Sequence, residues 1–95
     1  MMISESDIVI SLNGRDEGKL FFVLGTEEEY VLLADGKGRR IEKPKHKKLK
    51  HVQFVAKSDC RVSEKIRNNE KITNSDLRKA LAQYSAGSGG DQGGM

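Results

Sequence analysis

The densest group of residues able to bind a ligand is a basic segment between positions 37 and 51. It contains eight lysines and arginines and a single acidic residue, Glu42. Like charges packed this closely repel one another unless water, salt or an anionic partner relieves the repulsion. Phosphate groups do so well, because each contact releases a condensed counterion from the polyanion. The segment therefore predicts contacts to a nucleic-acid backbone from Lys37, Arg39, Arg40, Lys43, Lys45, Lys47, Lys48 and Lys50, with His46 and His51 as further donors.

The positive charge is confined to this part of the chain. Residues 1–35 carry a formal net charge of −6 and residues 36–51 carry +7, although the whole chain carries only +3 at pH 7. A localised patch attracts a polyanion more strongly than the average charge indicates. An ordinary solvated face is the alternative interpretation. We favour a binding surface because the segment lies inside the chain, next to Pro44, and not in a terminal tail.

A second candidate is the turn at residues 13–19, in which Gly14 and Gly18 flank Arg15. Glycine lets the backbone approach a ligand closely, and Lys19 adds a second cation. The spacing fits neither the P-loop nor the dinucleotide-binding fingerprint. Taken alone, the segment is more typical of a turn between strands than of a phosphate cradle.

Residues suited to catalysis or metal binding are scarce. His46, His51 and Cys60 are the soft metal ligands, and their spacing matches no four-ligand zinc pattern. Two histidines inside a lysine run offer no Ser-His-Asp or Cys-His arrangement. Cys60 is more typical of a small apolar filler. We expect no enzyme, no metal site and no cofactor.

Length and cysteine content limit the class of protein. With 95 residues the chain has room for one small core, and its single cysteine excludes an intramolecular disulfide. The sequence shows no secretory signal pattern and no apolar stretch long enough to span a bilayer. The basic segment also lacks an apolar face for a membrane surface. We expect a cytoplasmic protein with no membrane partner.

Five short strands are predicted in the first part of the chain. Apolar runs at residues 7–12, 19–24 and 29–34 are separated by glycine-containing turns, a pattern typical of an antiparallel meander. Residues 38–43 predict a charged fourth strand ending at Pro44, followed by a basic connector and a fifth strand from Val52 to Ala56. Closure into a small barrel would remove exposed edges, so we expect a mainly β fold.

The last part of the chain predicts helices and a tail. Residues 73–85 predict a helix that begins with Thr73 as N-cap and Asp76 as its capping-box partner, and Ser63 indicates the start of a shorter helix. One face of the helix at residues 73–85 is apolar and consists of Leu77, Ala80, Leu81 and Tyr84. This face either packs on the strands or binds a partner. We therefore predict a β-barrel over residues 1–57, a helical extension over 58–86 and a flexible glycine-rich tail over 87–95.

The segment around Gly18 resembles the KOW motif. Residues 13–19 (Asn-Gly-Arg-Asp-Glu-Gly-Lys) lie between two apolar runs, with Gly18 at the position of the motif's key glycine. Residues 30–36 (Tyr-Val-Leu-Leu-Ala-Asp-Gly), followed by basic residues, are similar to archaeal and eukaryotic large-subunit ribosomal proteins of the KOW type. The chain looks closest to the stand-alone bacterial KOW domain-containing RNA-binding proteins, with a likeness that covers about residues 7–55.

The resemblance implies a five-stranded antiparallel SH3-like barrel with structured, ribosomal RNA as its partner. It implies that Arg15 and Lys19 lie at the RNA surface, but it does not cover the lysines of residues 45–50. Relatives of this barrel also bind proteins, so a protein-interaction module in transcription or translation, with a ribosomal or other protein partner, is the alternative.

Recognition of bases by aromatic stacking has little support in the sequence. The aromatic residues that lie within apolar runs are predicted to belong to the core: Phe21, Phe22, Tyr30 and Phe54. The alternative is that Phe21 or Tyr30 is exposed on the outer face. Stacking on exposed aromatic rings is the usual route to unpaired bases. We therefore expect the chain to recognise the backbone shape of folded RNA and not its base sequence.

Overall fold

The structure, a computed structural model, describes residues 3–58 and 60–89 and is mainly β. Its five strands are β1 (Ile8–Ser11), β2 (Leu20–Glu27), β3 (Tyr30–Ala34), β4 (Lys45–Lys48) and β5 (Val52–Ala56). A 3₁₀ turn, Leu49–His51, joins β4 to β5, and two helices follow, α1 (Arg61–Arg67) and α2 (Asn74–Gly89). Within the described ranges no helix is long and apolar enough to cross a membrane.

The strands form one antiparallel sheet in the order β4-β3-β2-β1-β5. The meander of the first three strands is therefore confirmed, and β1 pairs with both β2 and β5. The register shifts between Ile8 and Val9 in β1 and between Val23 and Gly25 in β2, and such bulges bend a sheet. No ladder joins β4 to β5 in the described part of the chain. The closed barrel predicted from the sequence is therefore not confirmed.

The predicted fourth strand is wrong. Residues 38–43 belong to a loop, and the strand lies in the run Lys45–Lys48 that was predicted to be a connector. The carboxylate of Asp35 accepts hydrogen bonds from the backbone N–H groups of Lys37 and Arg39, both at 2.9 Å, which turns the chain before it can extend. Beyond Pro44 the backbone pairs with β3, and lysines are tolerated there because β4 is an edge strand.

The sheet buries apolar side chains on both faces. On one face the strands pack against both helices, in a cluster of Ile8, Phe22, Ala34, Ile66, Leu77 and Leu81. The other face buries a second cluster that receives no helical residue, made of Val9, Phe21, Val23, Val31, Leu33 and Val52. The apolar face of α2 therefore packs on the sheet and is not free for a partner.

The N-terminus of α2 has the predicted capping box. The N–H of Asp76 donates to Oγ1 of Thr73 at 3.1 Å, and the N–H of Thr73 donates to Oδ2 of Asp76 at 3.0 Å. The helix continues to Gly89, past the predicted end at residue 85 and into the predicted tail, and residues 90–95 of that tail lie outside the described residues. The shorter helix begins at Arg61, two residues before Ser63, which is buried.

The first turns of α2 hold the β3–β4 loop, residues 35–44. The Asn74 side chain accepts a hydrogen bond from the N–H of Ile41 at 2.8 Å and donates to both carboxylate oxygens of Glu42 at 3.0 Å. Arg78 Nη1 donates to the carbonyl of Gly36 at 2.7 Å. These polar contacts fix the loop, which carries four of the predicted binding residues, against the helix.

Acid should weaken both the contact between the β3–β4 loop and α2 and the capping box of α2. The Asn74 amide lowers the pKa of Glu42, and the Thr73 N–H lowers the pKa of Asp76. A carboxylate whose pKa is lower in the folded state contributes stability above its unfolded pKa and loses it as pH falls through the folded value. We therefore expect the free energy of unfolding to decrease as the pH falls below about 5.

Urea denaturation at neutral and acidic pH measures this effect. The double variant Glu42→Gln, Asp76→Asn should show a smaller loss of stability in acid than the unmodified chain, because two of the responsible groups no longer titrate. Glu17→Gln, in the exposed β1–β2 loop, is the matched control and should leave the loss unchanged. An identical pH dependence in the double variant would contradict this account.

Candidate nucleic-acid interface

The β1–β2 loop, residues 12–19, is held by its own backbone. Gly18 has φ +83°, a conformation that favours glycine, and its N–H donates to the carbonyl of Ser11 at 2.8 Å. Gly14 has φ +82°, and its carbonyl accepts the N–H of Glu17 at 3.2 Å. Arg15 and Lys19 are exposed on this loop. Their backbone positions are therefore fixed although their side chains face solvent.

An ion pair joins the β1–β2 loop to the β3–β4 loop. Arg39 donates from Nε at 3.1 Å and from Nη2 at 3.0 Å to the same carboxylate oxygen of Asp16. The Asp16 side chain is 13% exposed and that of Arg39 is 34% exposed, so the pair is partly shielded from solvent. Arg39, predicted to contact phosphate, is thus engaged within the protein and positions the two loops. Lys19 also lies 3.9 Å from Asp16.

Lys47 joins β4 to the same loop. Its Nζ donates to the carbonyl of Asn13 at 2.9 Å, and a Cβ placed on Gly14 would lie 3.4 Å from that nitrogen. In the β3–β4 ladder Lys47 lies opposite Val31, and Lys45 lies opposite Leu33. Val31 and Leu33 are buried, so both lysines are on the side of the second core cluster and are half-buried.

The other two residues of β4 point to the opposite face of the sheet. His46 and Lys48 lie opposite Leu32 and Tyr30 and are exposed. His46 Nε2 is 2.6 Å from Oε1 of Glu27, and its ring centroid is 5.2 Å from that of Tyr30. The basic segment therefore does not present all of its side chains to one side, because the alternation of β4 divides them.

Two of the four aromatic residues predicted in the core are fully buried, Phe21 and Phe22. Phe54 is half-buried, and Tyr30 is 39% exposed beside His46. One exposed aromatic ring, on β3, offers limited scope for base stacking.

The exposed cations nevertheless follow one connected part of the fold. They lie on the two joined loops, on β4 and on the 3₁₀ turn, and we name them the basic surface: Arg15, Lys19, Lys37, Arg40, Lys43, Lys48 and Lys50. His51, in the 3₁₀ turn, is half-buried, and its carbonyl accepts the N–H of Leu12 at 2.9 Å. Eight lysines and arginines are predicted to bind at residues 37–50. Within the described part of the chain, Arg39 is the one among them that forms a salt bridge.

Two depressions lie on either side of Gly38, at the tip of the β3–β4 loop. The first, of about 490 Å³, has a largely cationic lining that includes Arg40, Lys43 and Lys45. The second, of about 760 Å³, lies between the two loops and α2 and is lined by Lys19, Lys37 and Arg78. Arg78 is not among the binding residues predicted from the sequence, because its position beside the loops depends on how α2 docks.

The three soft metal ligands do not form a cluster. Across residues 3–58 and 60–89 no three histidine, cysteine or acidic side chains come together in a way that would hold a metal ion. Cys60 is exposed and not the predicted filler, and its Sγ lies 3.3 Å and 3.4 Å from the hydroxyls of Ser58 and Ser63. Partial burial raises the pKa of this thiol, but the hydrogen bonds outweigh burial and the pKa lies below its usual value.

No protein-family model and no curated protein matches this sequence.

Removing the carboxylate of Asp16 should loosen the join between the loops. Asp16→Asn leaves the partly buried Arg39 without its charged partner, so we expect the free energy of unfolding to fall by about 1 kcal/mol. A double-mutant cycle with Arg39→Gln should give a coupling energy of similar size. Glu17→Gln removes a neighbouring exposed carboxylate and should be neutral. Strictly additive effects of the two substitutions would show that the pair is not coupled.

Proposed function

We propose that this chain is an RNA-binding module of the KOW type that binds the phosphate backbone of structured RNA at the ribosome or during its assembly. One observation carries the proposal. The Arg39–Asp16 and Lys47–Asn13 contacts bring the KOW-like loop, the β3–β4 loop and β4 together, so that cations distant in sequence lie on elements that contact one another. Counterion release from a polyphosphate would drive binding to such a surface.

An SH3-like barrel of the KOW type is part of the proposal. It is supported by the five short antiparallel strands, in which β1 pairs with both β2 and β5. The second core cluster draws on β1, β2, β3 and β5 without any helical residue, which favours a sheet that curls on itself. The family resemblance around Gly18 adds to this, since the glycine occupies the turn between β1 and β2. A cytoplasmic location belongs to the same proposal.

Recognition of the backbone, and not of base sequence, fits the side chains available. The basic surface supplies ammonium and guanidinium groups, which neutralise phosphates, while Tyr30 is the one exposed aromatic residue in the described part of the chain. Folded RNA presents its phosphates in a fixed spatial pattern, which loops of fixed geometry are able to match.

Salt dependence of binding tests the proposed function. Fluorescence anisotropy with a labelled ribosomal RNA hairpin should show affinity falling steeply with added salt. If six cations contact phosphates, the slope of log K against log salt is roughly −5 on a duplex. Affinity that does not change between about 50 and 200 mM salt would contradict an electrostatic contact with RNA.

A protein partner is the second candidate, because two large apolar side chains close to Lys48 in β4 are exposed. Tyr30 is 39% exposed and Leu49 is 37% exposed, at the end of the basic surface. Purification of the chain from cells with and without ribonuclease separates the two candidates. RNA binding predicts that ribosomal partners are lost after nuclease treatment, whereas partners that survive it favour a protein-interaction module.

A further inference from the structure

We infer that the cleft between the β1–β2 loop, the β3–β4 loop and α2 binds one unstacked nucleotide of the RNA. This inference rests on the proposed function and adds a defined subsite to it. The phosphate would be held by cations from three separate elements, and the base would lie on the apolar floor. The cations are Lys19, Lys37 and Arg78, and the apolar floor consists of Leu20, Leu81 and Ala82.

The charge balance of the cleft favours an anion. Lys19 and Lys37 are exposed, and Arg78 is oriented by the hydrogen bond from its Nη1 to the Gly36 carbonyl. Asp35 is the one acidic residue of the lining, and its Oδ1 already accepts two backbone N–H groups of its own loop. Asp16, outside the lining, lies 3.9 Å from Lys19 but is paired with Arg39. Three cations therefore line the cleft with one carboxylate, one of whose oxygens already accepts two hydrogen bonds.

The shape of the cleft favours a base in addition to a phosphate. Its volume of about 760 Å³ is within the usual range of small-ligand sites. Gly18 and Gly38 both line it, and a Cβ added to either would meet no atom within 4 Å, so the loops leave space for a flat ring. A phosphate alone would leave the apolar floor in contact with water. A paired strand would not bring a base to it, because its bases are stacked inside the duplex.

Two RNA hairpins that differ by a single unpaired nucleotide test this inference. Affinities for the fully paired hairpin and for the same hairpin with a one-nucleotide bulge are measured by fluorescence anisotropy at one salt concentration. We expect the bulged hairpin to bind about tenfold more tightly, because a base placed on the floor adds contact area that the paired hairpin lacks.

Variants that fill the cleft without changing charge identify the site. Ala82→Leu and the larger Ala82→Phe each add an apolar side chain to the lining, at an exposed position of α2 that does not line the other depression. Each variant should bind the paired hairpin as tightly as the unmodified chain does. Its affinity for the bulged hairpin should be within about twofold of its affinity for the paired hairpin. Gln83→Leu, at the next exposed position of α2 and outside the cleft, is the matched control and should keep the preference.

The outcomes separate this inference from the proposed function. Equal affinity of the unmodified chain for both hairpins overturns the nucleotide site and leaves RNA binding standing. A preference that survives both filling variants also overturns it. Failure to bind either hairpin overturns the proposed function together with the site.

Discussion

Reversing three exposed cations of the basic surface should weaken the binding of structured RNA at least about 100-fold at about 0.1 M salt. The variant is Arg40→Glu, Lys48→Glu, Lys50→Glu. Each substitution removes a phosphate contact and adds a charge that repels the polyanion. None of the three side chains takes part in the contacts that join the loops, which are made by Arg39 and Lys47. Fluorescence anisotropy with the ribosomal RNA hairpin measures the loss, and the salt slope should become shallower by about three.

A matched variant separates the basic surface from net charge. Reversal of Arg61, Lys71 and Lys79 lowers the formal net charge by the same amount, but these exposed residues lie on α1, α2 and the segment between them. We expect this control to weaken binding only a few-fold through the general field of the protein. Equal losses in the two variants would show that RNA responds to overall charge, and the assignment of the surface would then be wrong.

Replacing Gly36 with alanine should undo the docking of α2. A Cβ at this position would overlap the Asn74 carbonyl oxygen and lie 3.1 Å from Cβ of Leu77, and φ is +78°. The helix backbone must then move, which also loses the Arg78 hydrogen bond and the packing of Leu77. We expect the free energy of unfolding to fall by about 3 kcal/mol or more. Urea denaturation followed by circular dichroism measures the change.

Gly38→Ala is the control, two residues along the same loop. Its Cβ would meet nothing within 4 Å and its φ is outside the positive region, so we expect a change within about 0.5 kcal/mol. Similar stabilities of the two variants would mean that Gly36 does not set the approach of α2 to the loop.

The parts of the fold that the sequence predicts correctly depend on local chemistry. The first three strands are continuous apolar runs between turns, and the Thr73–Asp76 capping box needs only residues three positions apart. The buried face of α2 follows from helical spacing. In each of these the information lies within a few residues, so pattern alone suffices.

The errors arise where individual side chains bind the backbone or one another in ways that the residue pattern does not indicate. The sequence predicts a charged strand at residues 38–43, but the Asp35 carboxylate and the Asn74 side chain bind the backbone there instead. The pairing of Arg39 with Asp16 links residues 23 positions apart, and no local pattern indicates it. The sequence marks the cations as a group. It does not show which of them support the structure and which face solvent.

An NMR titration with the paired RNA hairpin tests most directly whether the two loops and β4 contact one RNA together. Amide signals of residues 13–19, 37–43 and 45–50 should shift in parallel and give the same dissociation constant, while the signals of α1 stay in place. Shifts confined to a single one of these segments, or centred on α1, would contradict a shared RNA-binding surface.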